Sequence, residues 1–73
     1  MNLIEVKKGN RVQFINHKHD YFMEAFLIVD REEGSANGYK IMLNGKLAGS
    51  FKAYQPFSKK CRALITEWQL EEY

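Results

Sequence analysis

Runs of apolar side chains predict several β-strands in the first two thirds of the chain. Residues 22–29 form an apolar run interrupted only by Glu24, and their aromatic and β-branched side chains favour a central strand. The shorter run 11–15 predicts a second strand, and residues 3–7 predict a short edge strand. The polar, acidic stretch 30–37 contains glycine and predicts the loop after the central strand.

The strongest local signal is a β-hairpin centred on Asn44-Gly45, a pair that favours a type I′ turn because both turn positions need positive φ. A two-residue loop predicts the register, with pairs Leu43–Lys46, Ile41–Ala48 and Tyr39–Ser50. In this register one face carries Tyr39, Ile41, Leu43 and Ala48, and the other carries Met42, Leu47 and Phe51 with Lys40. Both faces of the hairpin are therefore partly apolar.

The C-terminal residues 58–72 fit a helix better than a strand. Apolar side chains recur at helical spacing, at Cys61, Leu64, Ile65 and Trp68. Ser58, which follows Pro56-Phe57, is a candidate N-cap. Alternation at Leu64, Thr66, Trp68 and Leu70 also fits a strand, but the polar Glu67, Gln69, Glu71 and Glu72 suit a solvated helix face.

These elements predict one α+β domain over residues 1–73, a small antiparallel sheet of three to four strands with a C-terminal helix. The alternative is an all-β SH3-like small barrel. One short helix shields one face of a sheet, so apolar side chains remain, either Phe22, Phe26 and Ile28 or Met42, Leu47 and Phe51. Barrel closure, homodimerisation or a protein partner would cover them. The candidate partner-binding residues are Met42, Leu47 and Phe51.

Composition narrows the class of protein. No apolar run approaches the roughly 20 residues that span a bilayer, so we expect no membrane association. The single cysteine, Cys61, cannot form an internal disulfide, and the cytoplasm is the predicted compartment. No motif predicts a cofactor or a small-molecule substrate.

Charge is distributed unevenly although the net charge is only +2. Residues 34–62 contain six cations and no acid, and the part from residue 51 onward interleaves them with aromatic side chains. Aromatic rings can stack on bases while cations neutralise phosphates, so this segment predicts a nucleic-acid-binding surface. Its candidate residues are Lys52, Tyr54, Lys59, Lys60 and Arg62. The alternative is that the aromatic rings pack the helix against the sheet and the lysines are only solvated.

Two further clusters could carry chemistry. The segment 17–20 contains two histidines and an aspartate, but zinc needs three or four ligands, so we interpret it as a polar connection and predict no metal site. Cys61 has basic neighbours that could lower its pKa, yet it lies on the apolar helix stripe, and no general base can be assigned to it. We therefore expect the protein not to be an enzyme.

The function predicted from the sequence is that of a small non-catalytic binding module for nucleic acid or for a protein that processes nucleic acid. The alternative is a protein–protein adaptor or inhibitor, an accessory or phage-type regulator that acts through an exposed apolar sheet face. A protein partner or a homodimer is expected because the sheet is apolar on both faces.

Overall fold

The fold is a five-stranded antiparallel sheet with one α-helix packed on one of its faces. The computed structural model describes residues 3–29, 32–34 and 36–73. The elements are, in order, a 3₁₀ helix (Leu3–Lys8), β1 (Val12–Asn16), β2 (Tyr21–Val29), β3 (Ala36–Leu43), β4 (Lys46–Phe51), α1 (Tyr54–Glu67) and β5 (Glu71–Glu72). The predicted α+β class is confirmed, and the sheet has more strands than the three to four expected.

The strand order is β4-β3-β2-β1-β5, and every neighbouring pair is antiparallel. The first four strands form a meander, after which α1 carries the chain back across the sheet to place β5 beside β1. β4 and β5 are the two edges of this open sheet. The SH3-like barrel is therefore wrong, because its sheet would have to close on itself.

The hydrophobic core lies between the sheet and α1. Directly paired side chains share one face of a sheet, and the buried pairs Phe14–Met23 and Ala25–Ile41 belong to the same face. The core is formed by Leu3, Val6, Phe14, Met23, Ala25, Ile41, Phe57, Cys61, Leu64 and Leu70. The predicted helix stripe is confirmed, because Cys61 and Leu64 are buried while Ile65 and Trp68 pack against the core.

The helix begins at Tyr54, four residues before the predicted start. Its N-cap is Ala53, and Pro56 lies inside the first turn, where backbone N–H groups lack helical acceptors and a proline costs little. Ser58 is a buried residue within the helix, so the prediction that it is the N-cap was wrong.

The helix ends in a Schellman motif rather than continuing to residue 72. The amide of Leu70 donates to the carbonyl of Ile65 at 2.9 Å, and that of Gln69 donates to Thr66 at 3.4 Å. Gln69 has φ 51°, a left-handed conformation that glycine usually provides at this position. The reversal buries Leu70 and places Glu71 at the edge of β1, which explains why the helix ends before residue 72.

The N-terminal segment is a 3₁₀ helix, not the predicted edge strand. In a 3₁₀ helix residues three apart lie on the same side, so Leu3 and Val6 both reach the core. Leu3 and Val6 are three positions apart, so a strand would place them on opposite faces, whereas a 3₁₀ helix buries both.

The loop predicted over 30–37 falls partly outside the described residues, since Asp30, Arg31 and Ser35 are not among them. Residues 32–34 lie between β2 and β3, whereas β3 already begins at Ala36, inside the predicted loop. Within the described residues, no helix combines the length and the apolar character needed to cross a membrane.

Candidate functional site

The face of the sheet opposite α1 carries many apolar side chains that do not contribute to the core. The strand register places them together, because Ile15 pairs with Phe22 and Met42 pairs with Leu47, each pair facing away from the helix. We call this surface the helix-free face. Its apolar side chains are Ile15, Phe22, Phe26, Ile28, Met42, Leu47 and Tyr73.

These apolar side chains shield one another only in part. Leu47 is 57% exposed and Tyr73 is 75% exposed, while the remaining members are half-buried. The rings of Phe22 and Tyr73 meet edge to face, with centroids 6.4 Å apart. Neither the 3₁₀ helix nor α1 covers this face, since both contribute their buried side chains to the core on the other side.

The centre of the helix-free face holds one carboxylate, Glu24, whose hydrogen bonds are satisfied within the face. Arg11 Nη1 lies 3.1 Å from Glu24 Oε2, and Gln13 Nε2 donates to the same oxygen at 3.2 Å. The guanidinium of Arg11 also lies over the ring of Phe26, 4.6 Å from its centroid. The central charge is therefore neutralised before any partner binds.

Of the three predicted partner-binding residues, Met42 and Leu47 lie on the helix-free face and Phe51 does not. A bulge between Ile41 and Met42 shifts the hairpin register, so that Tyr39 pairs with Phe51 rather than with Ser50. Phe51 consequently turns to the core face and packs against the core. Placing it on the same face as Met42 was wrong, because the two-residue turn alone does not reveal a bulge.

Gly49 makes room for Phe51 on the core side. A Cβ atom at Gly49 would stand 2.7 Å from a ring carbon of Phe51, closer than such atoms approach in proteins. The ring thus occupies the space that a side chain at position 49 would need, which fixes the register beyond the bulge.

Apart from Phe51, the two sets of side chains that the sequence left as alternatives lie on one face. Phe22, Phe26 and Ile28 of β2 stand beside Met42 and Leu47. Sequence reasoning missed Ile15 and Tyr73 as further members. The alternation from Phe14 to Ile15 carried a signal for Ile15, whereas Tyr73 joins only because β5 pairs with β1.

The predicted nucleic-acid-binding cations are exposed, but they do not share one surface with an open aromatic ring. Lys59, Lys60 and Arg62 lie on α1, and Lys52 lies just before it. Successive helix positions turn by about 100°, so Lys60 and Arg62 flank Lys59 on opposite sides. A cleft of about 410 Å³ next to them is lined by Gln55, Pro56, Ser58, Lys59 and Arg62.

The side chain of Tyr54 packs against the core. Its ring contacts the rings of Tyr39 and Phe57, with centroids 5.8 and 5.9 Å away, and the Lys7 ammonium lies 4.6 Å from its centroid. A base that stacked on the ring face beside Lys7 would have to displace that ammonium. The structure thus agrees with the alternative in which the aromatic side chains hold the helix on the sheet.

The remaining chemical candidates are structural or exposed. Cys61 is fully buried, and burial raises the pKa of its thiol to about 12, so the thiolate that reacts is not formed near neutral pH. His17 and His19 lie in the exposed turn between β1 and β2. Among the described residues no three His, Cys, Asp or Glu side chains are close enough to hold a metal ion.

Comparison with known proteins identifies no relative of this chain. No family model matches the chain, and no curated protein or solved structure does so either.

Proposed function

We propose that the protein is a non-catalytic protein-binding module that acts through its helix-free face. The observation that supports this is the set of half-buried and exposed apolar side chains on a face that no described element covers. Complete burial of one Leu, Met or Phe side chain contributes about 1.5–3 kcal/mol, and a partner surface would gain the part of this that the side chains still leave exposed. Soluble monomers rarely leave apolar patches larger than a few hundred Å² exposed.

The composition of the face supports a protein as the partner. Protein interfaces are enriched in aromatic residues, Met and Arg and depleted of unpaired charge at their centre. Phe22, Phe26 and Met42 match this enrichment, and Arg11 neutralises Glu24. A shallow sheet surface suits another protein better than a small molecule, which needs a concave site.

The experiment is affinity capture from a lysate of the source organism with matched variants. Phe22→Ser/Met42→Ser removes apolar area from the helix-free face, and Lys59→Glu/Lys60→Glu reverses charge on α1, away from that face. We expect the first variant to lose captured proteins and the second to retain them, with or without nuclease. Circular dichroism of both variants establishes that they are folded.

The opposite pattern would overturn the proposal and favour nucleic acid. Capture that disappears after nuclease treatment, or in the α1 variant alone, would indicate binding through phosphates, which lysine contacts neutralise in a salt-dependent way. Capture retained by the helix-free-face variant would exclude the face as the binding site.

A further inference from the structure

Among the described residues, two charged side chains on the helix-free face have no ion partner. Lys40 shares this face with Phe26, its neighbour on β2, and Glu71 shares it with Ile15, its neighbour on β1. Within the part of the chain that the structure describes, neither Lys40 nor Glu71 takes part in an ion pair.

Lys40 and Glu71 occupy opposite corners of the apolar area. β3 and β5 are separated by three strand spacings, about 14 Å, since neighbouring strands are about 4.8 Å apart. Along the strands the two positions differ by four residues, about 13 Å, because Glu71 is level with Phe22 and Lys40 with Phe26. The line joining them therefore runs at about 45° to the strands.

This diagonal makes the face complementary to itself. A two-fold axis in the plane of the face, perpendicular to the diagonal, places Lys40 of one copy against Glu71 of the partner subunit, and the symmetry repeats the contact. We infer that the helix-free face is covered by a second copy of this chain, in a dimer joined by two Lys40–Glu71 ion pairs. This dimer rests on the proposed function, and it identifies the protein that the helix-free face binds as a second copy of the chain.

The same operation matches several other side chains of the face. The axis lies at about 45° to the strands, so the two sheets cross at about 90°, one of the two preferred angles of sheet packing. Phe22 then lies against Met42 of the partner subunit. Arg11 and Phe26 lie against the partner's Tyr73, so apolar groups meet apolar groups and the guanidinium meets a second ring.

Charge reversal tests the dimer. Lys40→Glu gives a chain with acidic residues at both corners, and Glu71→Lys gives a chain with basic residues at both. We expect wild type to dimerise at micromolar to millimolar concentration in sedimentation velocity, and each variant alone to dimerise about tenfold more weakly or worse, because like charges then meet twice. An equimolar mixture of the two variants is expected to recover association as a heterodimer, since both contacts again join opposite charges. Lys59→Glu on α1 is the matched control and leaves the dimer unchanged.

Each of the following results would overturn the inference, and they differ in what they say about the proposed function. A wild type that stays monomeric, while Phe22→Ser/Met42→Ser still abolishes capture of another protein, leaves the face as a site for that foreign protein. A wild-type dimer that neither charge reversal weakens, or a folded mixture that does not recover association, rejects this arrangement of the two copies. A monomer that captures nothing through the face rejects the proposed function as well.

Discussion

The guanidinium of Arg11 lies 4.6 Å from the ring centroid of Phe26, while its Nη1 pairs with the carboxylate of Glu24 at 3.1 Å. Glu24 and Phe26 are successive residues of β2 on the helix-free face. Arg11, which directly precedes β1, therefore contacts both side chains at the centre of that face. A carboxylate that is buried without a cation destabilises the complex, because its charge is removed from water without compensation. Because Arg11 pairs with Glu24, a partner can cover Glu24 without burying an unpaired charge.

Removing this arginine should weaken the folded domain slightly. We expect Arg11→Ala to lower the free energy of unfolding by about 0.5–1.5 kcal/mol, because the cation–π contact and a partly exposed ion pair are both lost. Urea unfolding followed by tryptophan fluorescence measures the change. Lys8→Ala breaks the exposed Lys8–Glu5 pair and serves as the control, with an expected loss below about 0.5 kcal/mol. Equal losses in the two variants would contradict a special role for Arg11.

The buried thiol should be inert in the folded protein. Burial raises the pKa of Cys61 from 9.0 to about 12, so a thiol reagent such as DTNB should not react with it at mildly alkaline pH until urea unfolds the chain. The raised pKa also means that the stabilisation from the protonated thiol is complete below about pH 9 and is lost as pH rises towards 12. We expect this pH-dependent loss of stability to be absent in Cys61→Ala. Rapid labelling of the native protein would contradict the buried placement.

The left-handed residue at the end of α1 offers a stabilising substitution. Gln69 has φ 51°, a conformation that costs an ordinary residue about 1–2 kcal/mol, and glycine adopts it freely at the expense of backbone entropy. We expect Gln69→Gly to raise the free energy of unfolding by about 0.5–1 kcal/mol in urea titrations. Asn44→Gly is the control, since Asn44 also has positive φ but its Oδ1 accepts the Phe22 amide at 2.8 Å, so we expect no gain. A loss of stability in Gln69→Gly would contradict the Schellman ending.

The features that the sequence predicted correctly depend on short-range signals. Asn44 and Gly45 both have positive φ and close the predicted hairpin, and the pairs Leu43–Lys46 and Met42–Leu47 follow directly from that turn. The apolar run of β2 and the helical spacing of Cys61 and Leu64 likewise suffice to predict a strand and a buried helix face. Each signal comes from residues that are neighbours in the element itself.

The features that were missed depend on contacts between distant parts of the chain. A bulge turns Phe51 towards the core, where its ring lies over Gly49. Neither the bulge nor this contact can be recognised from the pattern of hairpin residues. β5 is two glutamates with no strand pattern, and it exists because the left-handed turn at Gln69 carries it to β1. Tyr73 joins the helix-free face for the same reason, so the candidate site could be predicted only in part.

Hydroxyl-radical footprinting with mass spectrometry measures whether the helix-free face becomes covered. Met42 is partly exposed on this face, whereas Met23 is fully buried in the core and serves as the internal control within the same sample. We expect oxidation of Met42 to slow as the protein concentration rises, or when a captured partner is added, while Met23 stays unreactive. Oxidation of Met42 that is independent of concentration and of partner, together with protection of the exposed positions of α1, would contradict it.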